Sequence, residues 1–171
     1  SLDHPKVTGE GIIKKNLNAL PARTSVMERI NKAGLTSNEA GYLWMDDSLG
    51  VILNKLDELK LTENTVVLFV ADHGSGNKGS LYKAKGTEVP CIMRWPAGMK
   101  QGVRSNELIQ NTDFVPTWID LAGIKAPAKY KINGVSLKPL FQAPNKPVRS
   151  HVYSEIGAAR SIKTKDYSYI A

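Results

Sequence analysis

One cysteine, Cys91, is the only thiol in the chain, which excludes an internal disulfide framework and a cysteine-rich zinc site. No apolar run approaches the roughly 20 residues that a membrane-spanning helix needs, so no membrane partner is expected. The start, Ser1-Leu2-Asp3-His4-Pro5, lacks the basic residues and apolar stretch of a signal peptide. Internal repeats and low-complexity tracts are missing as well. So is any recognisable nucleic-acid module, and the lysines are spread along the chain, so nucleic acid is not an expected partner. What is present is 171 residues, 42% hydrophobic and 23% charged, enough for one ordinary globular core. The net charge of +7 fits an anionic small molecule or polysaccharide, or simply a solvated basic surface. The compartment stays open.

Along the chain, the first twenty residues read as irregular, with Gly9, Gly11 and Pro21 breaking any period. Ser25-Val26-Met27-Glu28 has the form of a capping box and predicts a helix to about Ala33, closed by Gly34. Thr36-Ser37-Asn38-Glu39 repeats that pattern. Tyr42, Met45, Leu49, Ile52, Leu53, Leu56 and Leu59 then recur at helical spacing, predicting one long amphipathic helix over 38–60. Asp46, Asp47, Asp57 and Glu58 fall mostly off that stripe and read as a solvated face.

Thr65-Val66-Val67-Leu68-Phe69-Val70-Ala71 is a continuous apolar run, as expected of a strand covered on both faces in a parallel sheet. It stops at Asp72-His73-Gly74, a polar group at the strand end where open α/β sheets place ligands. A Gly-, Ser- and Lys-rich loop leads to a second strand, Val89 through Trp95, with Pro90 at its start. Cys91 inside that strand reads as a packed thiol. Leu108-Ile109-Gln110 reads as a short strand. Asp113 then reads as the cap of a helix holding Phe114, Val115, Trp118, Ile119 and Leu121, closed by Gly123, with Pro116 in its first turn. Beyond Pro127, three short strands are expected at 151–154, 160–163 and 167–170.

Several of these segments, in this order, resemble the sulfatase family of the alkaline-phosphatase-like superfamily. Glu63-Asn64-Thr65-Val66-Val67 resembles the family's "dNTlVvF" strand, and Ala71-Asp72-His73-Gly74 its "sDHG". Lys78-Gly79-Ser80-Leu81-Tyr82 is similar to "KgslYEGG", and Val89-Pro90 through Trp95-Pro96 to "VPliirWPg". Asp113-Phe114-Val115-Pro116-Thr117 with Asp120-Leu121-Ala122-Gly123 is similar to "DllPTlldlaG". Asn133-Gly134-Val135-Ser136-Leu137 resembles "dGvSL", and Arg160-Ser161-Ile162-Lys163-Thr164 the late "raVRt" strand. The fold implied is α/β: part of a mostly parallel alkaline-phosphatase-like sheet with flanking helices, leading into a small C-terminal antiparallel sheet. The division implied is a catalytic-domain part at 1–125 and a connection with the start of a small subdomain at 126–171.

The resemblance implies a sulfuric ester hydrolase. Such chemistry needs a nucleophile at sulfur, neutralised charge on the non-bridging oxygens and help for the leaving oxygen. A hard divalent cation suits the second task. By resemblance Asp72 and His73 are ligands of a divalent cation, calcium in the family. The bland alternative is a strand-end Asp bonded to its loop and a His bonded to backbone. By the same resemblance Lys78 is the sulfate-binding lysine, with Lys83 and Lys85 as neighbouring candidates. The stretch Lys83-Ala84-Lys85-Gly86 departs from the family's "EGG" with one extra residue. His4, in His4-Pro5, is a weaker catalytic candidate that matches a family "pHxP" segment imperfectly.

Family members carry C/S-x-P-x-R, whose Cys or Ser matures to formylglycine. Ala19-Leu20-Pro21-Ala22-Arg23 copies only its outline, because alanine cannot become the aldehyde. Nor do Asp46-Asp47 match the family's N-terminal metal pair, since they fall within a helix. The expectation is therefore a fragment, inactive alone, whose partner is the N-terminal half of its own catalytic domain, where the formylglycine would lie. Its substrate would be a sulfated small molecule or sulfated glycan. Two alternatives remain at this stage. One is a phosphate or phosphonate ester hydrolase or phosphoethanolamine transferase of the same superfamily; the other is a non-catalytic module that binds anionic glycans.

Overall fold

A computed structural model describes residues 6–8, 11–13, 19–74, 78–83, 86–126 and 128–171. The chain divides into two compact units, Ser1–Thr62 and Glu63–Ala171.

In the first unit, β1 (Lys6–Thr8) pairs antiparallel with β2 (Gly11–Ile13), Val7 opposite Ile12. This corrects the irregular reading: β-branched Val7, Thr8, Ile12 and Ile13 favour extended backbone over the few residues a hairpin needs. Helix α1 spans Thr24–Lys32 and begins before the expected cap. The Ser25 hydroxyl donates to the Ala22 carbonyl at 2.7 Å instead of capping the helix, so no Ser25–Glu28 box forms. Gly34, at φ 69°, ends α1 as expected. The second capping box does form. Thr36 N–H donates to Glu39 Oε2 at 2.9 Å, while Asn38 N–H donates to Thr36 Oγ1 at 3.3 Å. It opens a single 3-10 turn that runs into α2 (Ala40–Glu58).

Val26 and Ile30 on α1 are buried, each contributing about 1.5–3 kcal/mol. The apolar stripe of α2 fares differently from the expected core face: Tyr42, Met45, Ile52 and Leu59 are exposed. A nine-residue helix is too short to cover a nineteen-residue partner. Asp47 also departs from the solvated face assigned to it. Its carboxylate, 11% exposed, forms two hydrogen bonds with Arg29 at 2.9 and 2.5 Å and ties α2 to α1.

In the second unit, β3 (Val67–Val70) and β4 (Cys91–Arg94) form an antiparallel pair, Val67 opposite Arg94 and Val70 opposite Cys91. Every strand pair among the described residues is antiparallel, so the parallel register expected from the β3 run is not what joins it to β4. A parallel return needs a crossover, usually helical, and the described residues of 71–90 contain no helix. The side chains of Val67, Leu68 and Phe69 are half-buried and Val70 is exposed.

Leu108-Ile109-Gln110 is not a strand. The Gln110 N–H is taken by the Asp113 carboxylate at 2.8 Å, closing a 3-10 turn ahead of α3 (Phe114–Leu121). Asp113 thus serves the turn before the helix and makes no side-chain cap on α3 itself. Its other oxygen accepts from Val135 N–H at 3.0 Å and pairs with Arg149. Thr117 Oγ1 donates to the Asp113 carbonyl at 2.6 Å and accepts from Leu137 N–H at 2.8 Å. Gly134 lies where these segments meet: a Cβ there would collide with the Thr112 carbonyl oxygen. A short helix, α4 (Lys138–Gln142), follows with Pro139 in its first turn. It buries Phe141, which meets Trp95 edge-on at 6.2 Å between ring centres. The C-terminal strands form the small antiparallel sheet that was expected, in the order β5 (Val152–Ile156), β6 (Ala159–Lys163), β7 (Ser168–Ile170).

Candidate functional site

Strand β3 ends two residues before Asp72, and the intervening Ala71 N–H donates to the Pro90 carbonyl at 3.2 Å, holding the strand end against the residue before β4. Asp72 projects from this fixed end with 88% of its side chain exposed. Its Oδ1 accepts the His73 N–H at 2.9 Å, while Oδ2 faces His73 Nε2 at 3.5 Å. On the other side of the imidazole ring, Nδ1 lies 3.1 Å from the Gly74 carbonyl oxygen. A carbonyl can only accept, so this contact favours a proton on Nδ1, and in that neutral tautomer the lone pair is on Nε2. Oxygen Oδ2 and nitrogen Nε2 face each other across this gap. Two ligand atoms about 2.3–2.6 Å from one ion, near a right angle, stand roughly 3.3–3.7 Å apart, and this pair falls in that range. This is the pair that the resemblance implied as ligands of a divalent cation. No cluster of three His, Cys, Asp or Glu side chains that could hold a metal ion occurs among the described residues.

Lys78 is exposed and begins the following loop. Among the described residues its ammonium has no hydrogen bond to Asp72 or His73. The loop closes on itself: Gly79 N–H donates to the Gly86 carbonyl at 3.1 Å, and Gly86 N–H to the Lys83 carbonyl at 3.0 Å. Leu81 is buried beneath it, while Tyr82 and Lys83 point to solvent. His4 and Lys85 lie outside the described residues. Burial pushes the Cys91 thiol up from its ordinary pKa, in keeping with a packed thiol and not an activated nucleophile. A cleft of about 1050 Å³ runs along β4 and the 99–107 loop, past Arg94, Glu107 and Phe141. It includes none of Asp72, His73 or Lys78.

The sulfatase family model matches residues 22–124. The chain belongs to the sulfatase family. It is 34% identical to an ulvan-active sulfatase of Formosa agariphila over 99% of this chain and 34% of that protein. It is 30% identical to an N-acetylglucosamine-6-O-sulfatase of Bacteroides thetaiotaomicron over 77% of this chain and 26% of the relative. A third relative is human steryl-sulfatase, 35% identical over 57% of this chain and 20% of the relative. This sulfatase chain thus spans about a third or less of the length of the curated relatives it matches. Its fold is that of a solved sulfatase from work on glycosaminoglycan metabolism by Bacteroides thetaiotaomicron, with TM-score 0.69 and 22% identity over 82% of this chain and 34% of that one. A second solved relative in fold, Ps i-CgsB in complex with k-i-k-neocarrahexaose, gives TM-score 0.63 at 20% identity over 89% of this chain and 40% of that one.

The sequence reading of this sulfatase chain missed Arg149 and the Lys163–Glu88 pair. Arg149 reaches the fully buried Asp113 from 36 positions away, and Lys163 reaches Glu88 from 75 away. No local pattern marks either, since both lie in or beside short, proline-broken segments.

Proposed function

We propose that this chain supplies the Asp72–His73 metal ligands and the Lys78 sulfate contact of a sulfuric ester hydrolase. The observation that carries the reading is the strand-end geometry: an exposed carboxylate and an imidazole lone pair 3.5 Å apart, in a segment matched to the sulfatase family. A bound divalent cation, calcium by family resemblance, would neutralise charge on the non-bridging sulfate oxygens. Asp72 and His73 would hold it through Oδ2 and Nε2. The Gly74 carbonyl would favour the imidazole tautomer with its lone pair on Nε2, and the His73 amide orients the carboxylate through Oδ1. Lys78 places a compact positive charge beside the sulfate and the leaving oxygen.

The remaining ligands, the formylglycine nucleophile and parallel neighbours for β3 belong, in this reading, to sequence that the longer relatives carry beyond the matched third. The partly exposed side chains of β3 and the two-ligand site support that placement. The substrate is a sulfated glycan. The ulvan-active and N-acetylglucosamine-6-O relatives support that class, as does the net charge of +7.

The test is Lys78→Ala in the enzyme as its gene encodes it, assayed for sulfate release. A fall in kcat of about 10²-fold is expected, the usual cost of one donor to a developing anion. Wild-type turnover at saturating substrate would remove Lys78 from the site.

A further inference from the structure

The loop that carries Lys78 is backed by one face of the C-terminal hairpin. Gly79, at φ 67°, has no side chain, and a Cβ built there would lie 3.6 Å from Ile156 Cδ1, so Ile156 packs over the residue next to Lys78. At the other end of the loop, the Lys163 ammonium pairs with Glu88. Ile156 and Lys163 are not scattered contacts. Ile156 faces Ala159 and Val152 faces Lys163 across the β5–β6 ladder, so the two gripping residues share a face at opposite ends of the hairpin. Four residues of strand separate those ends, about 13 Å. The Gly79–Gly86 hydrogen bond draws the intervening loop closed between the grips. Ile156 keeps about half of its surface exposed at this contact, and Tyr153, Ile162 and Tyr169 stand on the opposite face.

We propose that Ile156 and Lys163 are positioning residues that set the place of the Lys78 ammonium by clamping its loop at both ends. The proposal rests on Lys78 as the sulfate contact. It follows from what the loop lacks: apart from Leu81, its described side chains are not buried, so its shape has few other constraints. An exposed ion pair adds little to global stability, yet a small displacement of a charge aimed at a reacting group costs rate steeply.

The experiment measures kcat/KM for a sulfate ester, inhibition by inorganic sulfate, and melting temperature in the enzyme as encoded. Lys163→Glu should lower kcat/KM about tenfold and weaken sulfate inhibition by a similar factor, with the melting temperature unchanged. The exchange Lys163→Glu with Glu88→Lys should restore both. Ile156→Ala should act in the same direction and Ile156→Val should be near wild type. In a Lys78→Ala background, Lys163→Glu should cost nothing further. If Lys78→Ala lowers activity while the hairpin variants do not, or if Lys163→Glu costs as much without Lys78 as with it, the clamp is overturned and the Lys78 reading stands. Full activity in Lys78→Ala overturns both.

Discussion

Asp72 and Asp113 both stand in short motifs beside a regular element of the Glu63–Ala171 unit, yet one is 88% exposed and the other 0%. Asp113 spends its two oxygens inside the protein, on Gln110 N–H, Val135 N–H and Arg149. Asp72 spends one oxygen on the next residue's amide and turns the other toward His73 and solvent. A carboxylate whose bonds all close within its own chain is a fastener. One held rigidly at its base and left open at its tip is available to a partner. Motif resemblance marks both segments equally, and burial with bond accounting is what separates them.

The largest effect is expected from Asp113→Ala. It would leave the Arg149 guanidinium, only 12% exposed, with its charge unpaired, at a cost of about 3–5 kcal/mol. Chemical denaturation monitored by tryptophan fluorescence measures this, and a loss below about 1 kcal/mol would mean that Asp113 is no fastener. Asp72→Asn should sharpen the contrast from the other side. Its stability should stay within about 0.5 kcal/mol of wild type, as for an exposed side chain that nothing packs against. A larger loss would make Asp72 a structural residue.

The smallest effect concerns Asp120. Hydrogen bonds from Ser136 and then Lys138 hold its carboxyl below the ordinary aspartate pKa. A carboxyl with a depressed folded pKa stabilises the fold above its unfolded pKa, about 3.9, and loses that contribution as pH falls through the lower folded value. Asp120→Asn should therefore flatten the fall of stability with acid below about pH 4 and leave its shape above pH 5 unchanged. Identical acid limbs for the two proteins would show that Asp120 contributes nothing there.

Much of the architecture was legible because its causes are local. The Thr36–Glu39 box, the helical stripe of α2, the Gly34 and Gly123 stops and the strands of the C-terminal sheet all follow from spacing within a few residues. Asp72 and His73 stand out as candidates for a related reason: they follow an apolar run, and the resemblance implies a role for them. What failed depended on competition between nearby groups. Ser25 found the Ala22 carbonyl before it could cap α1, and Asp113 took the Gln110 amide that a strand at 108–110 would have used. The antiparallel β3–β4 pair was not legible, because an apolar run such as 65–71 reports expected cover and says nothing of which strand returns beside it. Long-range fasteners such as Arg149–Asp113 have no local signature at all. Gly134 is an intermediate case: the resemblance included it, but only the close approach of the Thr112 carbonyl explains why a side chain is excluded there.

We propose that Asp72 and His73 hold a divalent cation on which sulfate ester hydrolysis depends. Sulfate release by the enzyme as encoded, before and after treatment with a chelator, tests it most directly, with Asp72→Asn run alongside. The prediction is that chelation abolishes turnover, that calcium restores it in the wild type, and that Asp72→Asn stays at least about 10³-fold slower whatever metal is added. Undiminished turnover after chelation, or an Asp72→Asn enzyme as fast as the wild type, would contradict it.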